Sequence, residues 1–89
     1  MSEAPRVLNK RNGMREGAVY VGRPSRFGNP FVIGRDGDRA AVVARFEASL
    51  LANRELLAAV KAELRGKDLV CWCAPEACHA DVLLRIANT

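Results

Sequence analysis

From Asp38 onward the chain repeats apolar positions with the period of a helix. Val42, Val43, Phe46, Leu50 and Leu51 recur at helical spacing, while Arg39, Arg45 and Glu47 fall on other faces. Arg35-Asp36-Gly37-Asp38 ahead of them reads as a turn, with Asp38 as the N-cap. A break at Ala52-Asn53 separates this stripe from a second one, Leu56, Leu57, Val60 and Leu64, which Gly66 stops. The pattern then changes. Lys67-Asp68-Leu69-Val70-Cys71-Trp72-Cys73 is mostly apolar on both faces, as a central strand covered on each side would be. Pro75 ends it, and residues 78–86 form a closing helix with Leu83 and Ile86, or Val82 and Ile86, turned inward. Earlier in the chain, Val19-Tyr20-Val21 reads as a short strand before Gly22, and Phe31-Val32-Ile33 as a weaker one before Gly34. The order strand, helices, strand, helix predicts a small α/β layer sandwich, a short and mostly parallel sheet packed by about three helices.

Eighty-nine residues make a single domain over 1–89, with the first five residues expected to be flexible. No apolar run is long enough to cross a bilayer, so no membrane partner is expected. Met1-Ser2-Glu3-Ala4-Pro5 leads into no apolar segment, so no signal peptide is expected either. Three clustered cysteines argue against a secreted disulfide framework and for a cytoplasmic protein with reduced thiols. The net charge of +4 is unevenly placed. Residues 1–35 carry seven Lys/Arg (Arg6, Lys10, Arg11, Arg15, Arg23, Arg26, Arg35) against Glu3 and Glu16, and the remainder is close to neutral. This basic third is either a solvated surface or a patch for an anionic partner: a nucleotide, a nucleic acid or a phosphorylated metabolite. With no aromatic residue before Tyr20 to stack on bases, nucleic-acid binding there is expected to be weak and unspecific.

Two stretches concentrate the residues that carry chemistry. In Gly22-Arg23-Pro24-Ser25-Arg26-Phe27-Gly28-Asn29-Pro30-Phe31, directly after a strand, glycines and prolines fix an irregular loop that can present backbone amides. Arg23 and Arg26 supply guanidinium forks suited to phosphate or carboxylate, with Ser25 and Asn29 beside them. The loop is neither a Walker loop nor a dinucleotide fingerprint, and its plain alternative is a structural turn. The second stretch, CWCAPEACH over residues 71–79, holds every cysteine, the only tryptophan and the only histidine.

Three readings of that second stretch compete. In the first, Cys71, with or without Cys73, is a small buried hydrophobe and Trp72 is core. In the second, Cys71, Cys73, Cys78 and His79 hold zinc, but an extended strand sets Cys71 and Cys73 about 7 Å apart, and adjacent Cys78 and His79 diverge around a helix. No bound metal and no cofactor are therefore expected. In the third, Cys78 at a helix start is an acidic thiol beside a neutral His79, in one cleft with the Gly22–Phe31 loop. Arg23, Ser25, Arg26 and Asn29 then hold the anionic part of a ligand, and Cys73, Cys78, His79 and Asp81 surround the recognised or reacting group. If the site is catalytic, Cys78 is the candidate nucleophile and His79 the acid/base.

VGRPSRFGNPF and LVCWCAPEACHADVL, together spanning roughly residues 19–87, are similar to the motifs of the family catalogued as domain of unknown function 4326. Where that family commonly reads Cys-His-Gly-Asp, this chain has Cys78-His79-Ala80-Asp81. The resemblance implies a small bacterial or bacteriophage protein and assigns no reaction. The functional expectation is an α/β protein that binds or processes a nucleotide, a nucleoside derivative or another phosphate-bearing ligand. The alternative is a phage-encoded effector that grips a host protein or a nucleic acid through the basic N-terminal third.

Overall fold

The computed structural model describes residues 4–13, 16–73, 76 and 78–89. Met1–Glu3, part of the segment expected to be flexible, and Arg15 of the basic third lie outside them. The elements are β1 (Val7–Asn9), a 3-10 turn (Lys10–Asn12), β2 (Val19–Tyr20), α1 (Arg39–Ala52), α2 (Arg54–Glu63), β3 (Leu69–Cys71) and α3 (His79–Ala87). The three strands form one parallel sheet in the order β1-β3-β2, with Val7 and Val19 both aligned on Leu69. The fold is the small α/β domain that the order of apolar patterns predicts.

Each helix begins where the sequence supplies a cap. The Asp38 carboxylate accepts from the Ala41 amide at 2.9 Å and starts α1. Asn53 ends α1 and begins α2, its side-chain oxygen accepting from the Leu56 amide at 3.1 Å. One residue thus serves as the elbow between two helices. Gly66, at φ +76°, takes the left-handed conformation that lets the chain leave α2, and its amide donates to the Asn88 side chain.

α1 buries Val42, Phe46 and Leu50, spaced four residues apart, against α2 and α3. α3 turns Val82, Leu83 and Ile86 into the same core, and all three residues of β3 are buried. The fully buried side chains include Leu50, Leu64, Leu69 and Leu83, so the core lies between the sheet and the helices.

Three local expectations are corrected. Phe31-Val32-Ile33 is no strand, because the Asp36 carboxylate takes the Val32 amide at 2.8 Å and the Gly34 amide bonds the Gly37 carbonyl. Those bonds close a turn and leave nothing for a ladder. The third strand is β1, whose three half-buried residues form a sheet edge. Leu51 is 54% exposed rather than part of the buried stripe. It follows Leu50 by about 100° around the helix, which carries it off the Val42–Phe46–Leu50 stripe and out to solvent. Trp72 is 55% exposed instead of core, since β3 ends at Cys71 and the chain bends there.

Two substitutions test this packing in chemical denaturation. Leu50→Ala should lose about 2–5 kcal/mol, the usual cost of a cavity at a sealed position, whereas Leu51→Ala should stay within about 0.5 kcal/mol of the parent. Asn29, buried, donates to the Val42 carbonyl at 3.1 Å and accepts from the Phe31 amide at 2.9 Å, tying the Gly22–Phe31 loop to α1. Asn29→Ala leaves the Phe31 amide without this acceptor and takes the second donor from the Val42 carbonyl, and should cost about 1–3 kcal/mol. A loss below about 0.5 kcal/mol would mean that the loop is held by something else.

Candidate functional site

Because all three strands run parallel, the segments that leave them emerge at one end of the sheet. The segment after β2 is the Gly22–Phe31 loop, and the segment after β3 is the cysteine-rich one. Between them lies a cavity of about 440 Å³, within the range of small-molecule sites.

The Gly22–Phe31 loop is built as two linked turns, with the Ser25 amide bonded to the Gly22 carbonyl and the Gly28 amide to the Ser25 carbonyl, both at 2.9 Å. A Cβ at Gly28 would stand 3.1 Å from the Arg23 Cα and from the Ser25 carbonyl oxygen, so any larger residue there would push the backbone of the loop apart by a few tenths of an ångström. Phe27 is buried and anchors the loop in the core. Arg23 is thereby brought to the cavity, its backbone carbonyl accepting from the Tyr20 hydroxyl at 2.8 Å.

On the other side the chain curls after β3. The Glu76 amide bonds the Cys73 carbonyl at 2.8 Å, and Cys78 then stands at the N-cap of α3 with its amide donating to the Asp81 carboxylate at 2.9 Å. The curl folds the strand's last sulfur under the helix start. The Sγ atoms of Cys71 and Cys78 are 3.0 Å apart, and the sulfurs of Cys71, Cys73 and Cys78 all lie within 4.8 Å of one another. The expectation that no metal binds rested on a separation of Cys71 from Cys73 that this bend removes. His79 stays outside the cluster, as its divergence from Cys78 predicts.

His79 is buried, its Nε2 lies 2.7 Å from the Val21 carbonyl, and its ring meets Phe46 edge-on at 5.1 Å. A carbonyl can only accept, so Nε2 carries the proton and the imidazole pins the start of α3 to the end of β2. Burial pulls its pKa below the usual histidine value, against the raising effect of the Val21 carbonyl. The ring is neutral as anticipated, but burial rather than the helix dipole is the main cause.

The acidic thiol expected at Cys78 is overturned. Hydrogen bonding with the Cys71 sulfur, followed by burial, pushes the Cys78 thiol far above its ordinary value and outweighs the Ala80 amide that favours the thiolate. Cys71 is buried, as expected of the core residue; Cys78 is buried too, and Cys73 is half-exposed.

Of the residues singled out from the sequence, Arg23, Asn29, Cys73, Cys78 and His79 line the cavity. Ser25, Arg26 and Asp81 do not. The Ser25 hydroxyl is buried without a hydrogen-bond partner, Arg26 pairs with Glu63 and lies over Phe27, and Asp81 caps the Cys78 amide. Sequence reasoning missed Arg39, Tyr20, Phe31 and Trp72, all of which line the cavity. Arg39 pairs with Glu76 at 2.8 Å, and its guanidinium pKa is raised by hydrogen bonding to the Cys73 side chain and by the negative charge of Glu76. Its position just after the Asp38 cap was the available signal, since the first turn of α1 must abut the sheet end if Val42 is buried. At the rim the Trp72 indole donates to the Tyr20 hydroxyl at 3.2 Å, and the Lys10 ammonium lies 4.4 Å from the Tyr20 ring centre.

The family described as Domain of unknown function (DUF4326) matches residues 7–89, beginning at the first residue of β1. The chain is 32% identical over 87 residues to an "Uncharacterized 12.4 kDa protein in nrdA-td intergenic region" of Enterobacteria phage T4, covering 93% of this chain and 77% of that protein. No solved structure matches the chain. With both motifs and all three strands inside the matched region, the chain belongs to the DUF4326 family.

Proposed function

We propose that this protein binds a small phosphate-bearing ligand, of the nucleotide or nucleoside-phosphate class, in the cavity at the carboxyl ends of its strands. The observation that carries the reading is that both sequence motifs line one cavity whose walls differ in character. Arg23 offers a guanidinium group to an anion, with Arg39 beside it in its pair with Glu76, while Tyr20, Phe31 and Trp72 offer aromatic surface and Val42 and Val43 an apolar wall. A ligand with one charged end and one flat, weakly polar end satisfies both. Cys78 and His79 form part of the lining, and their burial and internal hydrogen bonds favour a shaping role over nucleophilic attack.

The other reading, a basic N-terminal third that holds a host protein or nucleic acid, has less support. Lys10 lies over the Tyr20 and Trp72 rings, Arg26 pairs with Glu63, and Arg35 pairs with Asp36. Those cations are engaged within the domain. Among the described residues no helix is long and apolar enough to cross a membrane. A reducing compartment such as the bacterial cytoplasm is the setting in which three free cysteines persist.

The test is a thermal-shift screen of nucleoside mono-, di- and triphosphates beside inorganic phosphate. A ligand at 100 times its Kd stabilises the folded state by about 2.7 kcal/mol, enough to raise the Tm of a domain this size by roughly 10–20 °C. If neither the nucleotides nor phosphate raises the Tm at millimolar concentration, the reading fails. Arg23→Ala should weaken the best binder about tenfold or more, the scale of one lost charge-assisted hydrogen bond, with little change in the Tm of the free protein. Arg26→Ala should leave affinity unchanged, because Arg26 faces Glu63 and lies outside the cavity.

A further inference from the structure

We propose that Cys71, Cys73 and Cys78 together bind one thiophilic divalent cation, zinc(II), with its fourth coordination position open to the cavity. The first argument is distance. A zinc–sulfur bond of about 2.3 Å sets the sulfurs of a tetrahedral site about 3.8 Å apart. The sulfurs here span 3.0 Å for the Cys71–Cys78 pair up to at most 4.8 Å within the cluster, bracketing that value. Small side-chain rotations bring all three to it.

The second argument is what the backbone does around the sulfurs. The Cys73 amide lies 3.5 Å from the Cys71 Sγ and donates to it, and the Ala80 amide is directed at the Cys78 sulfur. Donors aimed at sulfur are the usual surroundings of metal-bound thiolates, where they disperse negative charge.

The third argument is charge. Three thiolates this close would repel one another strongly, whereas three thiolates around a dication leave a single negative charge. Arg39 stands beside them, its positive charge shared between Glu76 and the Cys73 sulfur, and so eases the negative charge at the cluster. A disulfide between Cys71 and Cys78 would use two of the sulfurs and leave Cys73, within 4.8 Å of both, outside the bond.

Among the described residues no further histidine, cysteine or carboxylate joins the cluster, and all three cysteines line the cavity. The fourth ligand must therefore come from the cavity side, as water or as an electron-rich atom of a bound molecule. Three protein ligands and one open position is the arrangement of zinc sites that bind exchangeable ligands.

The inference is independent of the phosphate-ligand reading, because it is measured on the protein alone. Full-length protein is produced with zinc in the medium, purified with reductant and without chelator, and assayed for metal. One zinc per chain is expected. After removal of the zinc, added cobalt(II) should give thiolate-to-cobalt charge-transfer absorption that saturates at one equivalent and is displaced by zinc. Cys73 is half-exposed, so Cys73→Ala should fold, as circular dichroism will check. It should bind zinc at least about 100-fold more weakly, since loss of an outer-shell partner alone costs up to that factor. Three outcomes overturn the site: no metal and no charge-transfer band in protein with three titratable thiols, unchanged zinc affinity in Cys73→Ala, or a Cys71–Cys78 disulfide in protein isolated under reductant. Zinc without any nucleotide shift would keep the metal site and reject the ligand reading. A nucleotide shift without zinc would do the opposite.

Discussion

The fold hangs on three residues, Leu69, Val70 and Cys71, none of which reaches water. They form the middle strand of a sheet whose neighbours are only two and three residues long. Two-sided pairing and two-sided burial are mutually dependent here. A strand covered on each face cannot hydrate its amides, so it needs a neighbour on each edge, and those neighbours stay in place only because β3 is covered. Parallel pairing in turn sends the exits from β2 and β3 toward the same rim, and the cavity follows from that.

Much of this was legible in the sequence because it rests on local periodicity. Val42, Phe46 and Leu50 mark the buried stripe of α1 at a spacing that only a helix makes useful. The unbroken apolar run at Leu69–Cys71 marks a strand covered on both faces. β1 was not legible, since three half-buried residues between Arg6 and Lys10 carry no period to detect. Trp72 was misread for a related reason. Composition extends a strand as far as apolar residues continue, whereas the bend after Cys71 is set by the return of the chain to α3.

The candidate site divides along the same line. The loop at Gly22–Phe31 and the segment at Cys71–His79 announce themselves by unusual residues, and their sharing one cavity follows from parallel strands. The sulfur cluster does not announce itself. Ideal strand geometry separates Cys71 from Cys73, and only the turn closed between Cys73 and Glu76 brings Cys78 back over them. Arg39 was hidden further still, because its partner Cys73 lies far along the chain and nothing near Arg39 in sequence points to sulfur. Ser25 and Arg26 were over-read for the converse reason. A loop rich in polar side chains spends some of them on its own architecture, as the Arg26–Glu63 pair illustrates.

The register of the sheet also dictates the order in which the molecule can assemble. Leu69 pairs with Val19 and with Val7, so both ladders join distant parts of the chain, while α1 and α2 are neighbours at the shared residue Asn53. Contacts close in sequence form sooner than those that must first close a long loop. The helical pair is therefore positioned to condense early and the sheet late, with the edge strand β1 joining last of all. The two sides of the cavity are supplied by the exits of β2 and β3, and Cys78 and His79 at the start of α3 complete its lining, so a nascent chain has no pocket until its final helix has emerged and packed. For so small a domain, the cavity itself becomes a report that the chain from β2 to α3 is present and folded.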